Sequence, residues 1–171
     1  GAIDVAPPVI LAPMAGITNY PFRSLCRRFG AGLFISEMIT ARPLVEGRRK
    51  TLRLADFGPG ETPRSLQLYG HRPEDLAEAT RRLAGEGKVD HLDLNLRCPV
   101  RKVTRKGGGA AIPAKPRLLA AIVRAGVAVA AVHGHAGRAP LGLADLGPVA
   151  VDAVVAIDVF AAGPGRTAAN R

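Results

Sequence analysis

The chain has 171 residues, 47% of them apolar, which allows one domain with a real core and excludes an intrinsically disordered chain. Lysine and arginine outnumber aspartate and glutamate 24 to 14. The net charge of +10 suits a polyanionic partner such as nucleic acid, or serves only solubility. Two cysteines cannot make a disulfide framework or a zinc site by themselves. With no signal peptide or membrane-length apolar run in view, a soluble cytoplasmic protein with no membrane or metal partner is expected.

Aromatic residues make up only 4% and tryptophan is absent, so Ala, Val, Leu and Gly must fill the core, as in many parallel α/β proteins. Residues 9–12 form a short apolar run that reads as a buried strand. The loop Pro13-Met14-Ala15-Gly16 follows. Thr18 or Asn19 then caps a helix with Pro21 in its first turn. Phe22, Leu25, Cys26 and Phe29 fall at i, i+3, i+4 and i+7, which predicts one buried stripe with Cys26 as a core thiol. Residues 33–36 read as the second strand, running into Glu37 and Met38. A helix is predicted from about Pro43, carrying Arg48, Arg49, Lys50 and Arg53 on a solvated face.

Residues 65–70 read as the third strand. Pro73 opens the next helix, with Glu74 and Asp75 at its positive end and Arg81 and Arg82 at its negative end. Leu76, Ala79, Thr80 and Leu83 form its buried face. The fourth strand covers residues 91–96, with Leu92, Leu94 and Leu96 on one side and Asp93 and Asn95 on the other. A basic, glycine-rich loop comes next, then a helix over 116–124. A fifth strand over 127–132 ends on His133, a weaker helix spans 144–153, and a last strand spans 154–160. Strand and helix alternate regularly, which predicts a parallel sheet with right-handed crossovers. Sites in such folds lie after the strands, here at Pro13-Met14, Glu37, Gln67, Asn95 to Cys98, His133 and Gly163.

Cys98 is followed by Pro99 and surrounded by Arg97, Arg101, Lys102, Arg105 and Lys106. A cysteine so placed is a nucleophile, an acid or inert filling. Cations beside a thiol favour its ionised form, whereas a proton donor needs the neutral one. Gly107, Gly108 and Gly109 either cradle a phosphate through their amides or act as a flexible hinge. His133 either holds a phosphate or a flavin oxygen, or is a satisfied core histidine.

Several motifs occur in a recognisable order. Ala12-Pro13-Met14-Ala15-Gly16-Ile17-Thr18-Asn19, followed by Phe22-Arg23, resembles the opening signature of the tRNA-dihydrouridine synthases. Ser36-Glu37-Met38, Gln67-Leu68-Tyr69-Gly70 and the run from Asp93 through Cys98-Pro99 to Val103 follow in the order of that family. The resemblance covers residues 9–125 closely and 133–166 loosely. It implies an FMN-dependent oxidoreductase that reduces the C5=C6 bond of particular uridines in tRNA, with NADPH as the reductant. It also implies that Cys98 gives the proton to C5, and that Pro13, Met14, Gln67 and His133 contact the flavin. Asn95 would lie near the flavin and the target base. A target base stacked in tRNA must be flipped out to reach a flavin. Arg101, Lys102, Arg105 and Lys106 would hold the phosphate backbone beside the cysteine.

The fold expected from this resemblance is a TIM-barrel-like parallel β/α fold, incomplete, with about six strands where a full barrel has eight. The expected domain is a partial FMN-binding barrel over residues 9–166, with the last barrel unit and the family's C-terminal helical tRNA-binding domain absent. Arg97 stands where the family carries glycine before the cysteine, and Asn19 where it carries aspartate. The family's flavin-contacting lysine, on a strand between Arg124 and His133, has no counterpart. Two other readings remain open. One is an inactive or truncated member that acts as a basic RNA-binding protein. The other is an FMN barrel oxidoreductase that acts on a small molecule.

Overall fold

The computed structural model describes residues 3–133 and 155–158. Among the described residues the architecture is α/β and TIM-barrel-like, with parallel strands alternating with helices from β1 to β5. Strand β1 (Ile10–Leu11) pairs in parallel with β2 (Leu33–Phe34). Beyond β2 the chain makes a single parallel bridge from Ile35 to Ser65, then re-enters the sheet as β3 (Ile39–Thr40). Strands β3, β4 (Ser65–Tyr69) and β5 (His91–Leu94) are parallel neighbours in that order. The second strand of the expected pattern is therefore interrupted between β2 and β3. At the interruption the Ser36 hydroxyl accepts the Gln67 backbone N–H at 3.2 Å.

The strand register divides β4 and β5 into two faces. Leu66 lies opposite Leu92 and Leu68 opposite Leu94, and all four are buried in the main core. They pack with Leu76, Ala79 and Leu83 of α4 (Pro73–Gly85) and with Ile122 of α6 (Pro116–His133). Fully burying side chains of this size contributes about 1.5–3 kcal/mol each. The other face carries Ser65 opposite His91 and Gln67 opposite Asp93, all buried as well. Period-two alternation thus sends every leucine to the helices and every polar residue to the opposite side. The leucine stripe expected in the fourth strand and the buried face expected in α4 are both found.

Helix α1 (Tyr20–Arg27) starts as expected, with Asn19 Oδ1 accepting the Phe22 N–H at 3.2 Å. Its buried side is not the expected one. Leu25 is 50% and Phe29 83% exposed, while Arg23 is 1% exposed. The reason is a polar cluster that the apolar spacing does not reveal. Arg23 makes a two-pronged pair with Glu61 (both contacts 2.8 Å), stacks on Phe57, and donates to Thr18 O at 2.7 Å. Cys26 is only half-buried. The helix expected from Pro43 is two short ones, α2 (Ala41–Val45) and α3 (Arg49–Leu54), divided at Gly47, whose φ is +70°.

Two further expectations are overturned. Residues 127–132 are helix rather than strand, because α6 continues without a break to His133. The stretch is rich in alanine and Gly126 is its only weak point, a cost of about 1 kcal/mol that does not stop a helix already formed. The valine spacing there mimics a strand, but nothing in the sequence ends the helix before it. Strand β6 (Val155–Asp158) joins the outer edge of β5, and it runs antiparallel, with Leu92 opposite Ile157. An open strand edge accepts a partner in either direction. The helix over 144–153 and Gly163 to Arg166 lie outside the described residues.

Candidate active site

The sequence Asp93-Leu94-Asn95 places two polar side chains on one face at the C-terminal end of β5. Gln67 is the register partner of Asp93 on β4. Gln67 Nε2 donates to Asp93 Oδ2 at 2.5 Å, and Gln67 Oε1 accepts from Asn95 Nδ2 at 3.0 Å. Asn95 Oδ1 in turn accepts the backbone N–H of Cys98 at 2.9 Å and that of Arg97 at 3.2 Å. This closes an Asx-type turn, in which a short amide side chain replaces a backbone carbonyl. One continuous set of hydrogen bonds therefore links β4, β5 and the cysteine. Asn95 N also donates to Leu68 O at 2.8 Å, which extends the β4–β5 ladder to the edge of the turn.

Asp93 is 2% exposed and its Oδ1 has no hydrogen-bond partner. Burial pushes its carboxyl above the ordinary value, while the hydrogen bond from Gln67 and the nearby His91 pull it partly back. His91 itself shares a 2.7 Å hydrogen bond with Ser65 Oγ, one step further down the same polar face.

After the turn, α5 (Arg101–Thr104) buries only Val103. Arg101, Lys102, Arg105 and Lys106 all lie exposed around it, a cationic surface directly after Cys98. Two of the three amides of the glycine run are bonded within the loop. Gly107 N donates to Thr104 O and Gly108 N to Val103 O, so those amides are spent inside the loop. Gly109 has a φ of +53°, and a Cβ there would lie 2.4 Å from Cys98 O. Ala110 N donates to that same carbonyl at 3.1 Å. Gly109 is the glycine that lets the loop fold back against the cysteine.

At the end of β1, the Met14 loop is held from two sides. Thr18 is fully buried, and its Oγ1 accepts Met14 N at 3.0 Å and donates to Met14 O at 3.1 Å. Glu37, just past β2, accepts Gly16 N at 2.9 Å. The Met14 backbone is thus used in holding the loop. Because β1 to β5 are parallel, Pro13, Met14, Glu37, Asn95 and Cys98 follow the same end of β1, β2 and β5, and Gln67 reaches that end from within β4 through its bond to Asn95. His133 does not join them as expected. It is the last residue of a helix, not the residue after a strand.

The geometry adds three residues that spacing alone did not single out as site residues. Asp93 anchors the Gln67 amide, Thr18 anchors Met14, and Arg23 anchors Thr18. The pairing of Asp93 with Asn95 at i and i+2 was a usable signal. The partnership of Arg23 with Glu61, 38 residues away, was not.

Residues 10–134 match the family model described as dihydrouridine synthase (Dus). The chain belongs to the dihydrouridine synthase family. A Mycobacterium tuberculosis (strain CDC 1551 / Oshkosh) protein named "Probable tRNA-dihydrouridine synthase" is 50% identical over 134 residues, 74% of this chain and 34% of that protein. A Xanthomonas campestris pv. campestris protein named tRNA-dihydrouridine synthase B is 44% identical over 133 residues, 73% of this chain and 39% of its own length. The Pseudomonas aeruginosa protein of the same name is 46% identical over 118 residues, 68% and 35% respectively. The chain thus spans a little over a third of the length of these dihydrouridine synthases. Every residue of the Gln67–Asn95–Cys98 cluster falls inside the matched region. Among the described residues no helix is long and apolar enough to cross a membrane, and no group of three or more His, Cys, Asp or Glu is arranged to hold a metal ion.

Proposed function

We propose that this chain carries the reaction centre of an FMN-dependent tRNA-dihydrouridine synthase, an oxidoreductase that saturates the C5=C6 bond of uridines in tRNA at the expense of NADPH. The observation that carries the reading is the hydrogen-bonded connection from Gln67 through Asn95 to the backbone of Cys98. It supports a built site, in which a thiol is held at a fixed place beside two amides at the strand ends.

The donor set suits a flavin. After its two internal hydrogen bonds, the Gln67 amide retains one N–H and one lone pair, and Asn95 Nδ2 retains one N–H. A flavin ring edge presents carbonyl oxygens and ring nitrogens that match such groups. Pro13 and the Met14 side chain would supply apolar contact. His133, at a helix end, is left out of this set. Bound FMN, once reduced, supplies the hydride that the uracil C6 position takes up.

The remaining steps belong to the protein. Asn95 holds the Cys98 backbone, and Cys98 gives its proton to C5 of the base. Arg101, Lys102, Arg105 and Lys106 face solvent and would grip the phosphates on either side of an extruded uridine. Arg97, also exposed, stands beside the cysteine without occupying the buried side of the turn.

The test has two arms. FMN titrated into the purified chain should bind and change its fluorescence, and the loaded protein should form dihydrouridine in an unmodified tRNA transcript supplied with NADPH. Cys98→Ala should retain FMN binding and lose dihydrouridine formation by at least about a hundredfold. A chain that takes up no FMN, or a Cys98→Ala variant as active as the parent, would sink this reading. Steeply salt-dependent tRNA binding by a flavin-free chain would favour an RNA-binding role instead.

A further inference from the structure

We propose that Asp93 is a positioning residue for Cys98, acting through the amides of Gln67 and Asn95. A carboxamide side chain is nearly symmetric in shape. Its oxygen and nitrogen ends are nearly equal in size, so packing alone does not decide which way round it sits. Hydrogen bonding decides, and two amides stand in series here.

A carboxylate only accepts hydrogen bonds. Asp93 Oδ2 therefore selects the Gln67 orientation that brings Nε2 to it, at 2.5 Å. That leaves Gln67 Oε1 facing Asn95, where it selects the orientation presenting Nδ2, at 3.0 Å. Asn95 Oδ1 is then turned to the backbone N–H groups of Arg97 and Cys98. Turning either amide round would set oxygen against oxygen on one side and N–H against N–H on the other. Asp93 is 2% and Gln67 6% exposed, so little water is at hand to relieve such a clash. The acceptor-only character of Asp93 is thereby transmitted across two side chains to the turn that carries the thiol.

The relay has a polarity, which makes it testable apart from stability. The inference rests on the role proposed above for Cys98, but its readout does not. Alkylation of the Cys98 thiol by iodoacetamide needs neither FMN nor tRNA. Cys26 is the chain's other cysteine, so the measurements use a Cys26→Ser background.

Asn95→Ala removes the turn's acceptor and should raise the Cys98 alkylation rate by about tenfold. Asp93→Asn keeps the shape but can donate as well as accept. It should raise the rate roughly threefold, with no further rise when it is combined with Asn95→Ala. The exchange variant Gln67→Glu with Asp93→Asn restores an acceptor facing Asn95 and should return the rate to that of the background. This last outcome separates orientation from mere packing, and it remains readable if Asp93→Asn alone does not fold. An Asp93→Asn rate equal to background overturns the proposal. So do rate effects of Asp93→Asn and Asn95→Ala that multiply, or an exchange variant that folds yet reacts like Asn95→Ala.

Discussion

Gly109 shows how narrowly single residues are constrained at this site. Its φ of +53° is unfavourable for other residues, and any Cβ would meet Cys98 O at 2.4 Å and Cys98 Cβ at 3.1 Å. The obstacle is backbone rather than the end of a flexible side chain, so the cysteine turn itself must move. Gly109→Ala should cost about 1–3 kcal/mol, read by denaturant unfolding, and should perturb Cys98 alkylation more than substitution at Gly107. At Gly107 the nearest atom is Lys115 Nζ at 3.6 Å, and only the φ of +79° stands against alanine. The three glycines are conspicuous in the sequence, but which of them matters is not. That depends on what lies across the loop, and the composition of the loop carries no trace of it.

At the level of elements, the Met14 loop depends on an ion pair outside the site. Arg23 of α1 and Glu61 of the segment before β4 are both buried, at 1% and 6% exposure. Glu61 also accepts Gly58 N at 2.8 Å, and Arg23 passes the constraint to Thr18 O and so to Met14. Removing one member leaves the other charged and buried, which costs more than the pair is worth. Glu61→Ala should therefore destabilise the chain by about 3–5 kcal/mol. Hydrogen exchange should show the Met14 and Thr18 amides losing protection before those of β4. Helix α1 itself was readable from Asn19 and Pro21, yet its buried face was misjudged. Apolar spacing marks Leu25 and Phe29 for the core, whereas a two-pronged guanidinium–carboxylate pair brought Arg23 inside. Helix α6 shows the opposite error. Its alternating valines suggested a strand, and the absence of any terminator after Arg124 was the better guide.

Across the whole molecule, charge is sorted rather than spread. No aspartate or glutamate occurs between residues 94 and 144. Among the described residues, Glu46, Glu74, Asp75, Glu78, Glu86 and Asp90 pair with Arg42, Arg48, Arg64, Arg72, Arg81, Arg82 and Lys88. Arg101, Lys102, Arg105 and Lys106 take part in none of these pairs. Part of the positive excess thus lies around the cysteine loop, and Arg49, Lys50 and Arg53 of α3, which also take part in none of these pairs, form a second exposed group. Each of the four residues around the cysteine loop that contacts a phosphate should, when changed to alanine, lower the salt slope of tRNA binding by about 0.7–0.9. The measurement is log Kd against log salt concentration, and alanine at Arg42 or Arg72 should leave the slope unchanged.

The sequence by itself determined the alternation of strand and helix from α4 to β5, the leucine face of β5, the two ends of α4, and the family to which the chain belongs. These follow from local periodicity, helix-end chemistry and ordered motifs, all of which are written in neighbouring residues. Only the tertiary structure decided that Asp93 meets the Gln67 amide, that Arg23 is buried, that Gly109 closes on Cys98, and that β6 runs antiparallel. Each of those depends on a partner from 11 to 67 residues away in the chain. Hydrogen-bond complementarity and close approach between such partners leave no period in the sequence, and exist only once the strands are side by side.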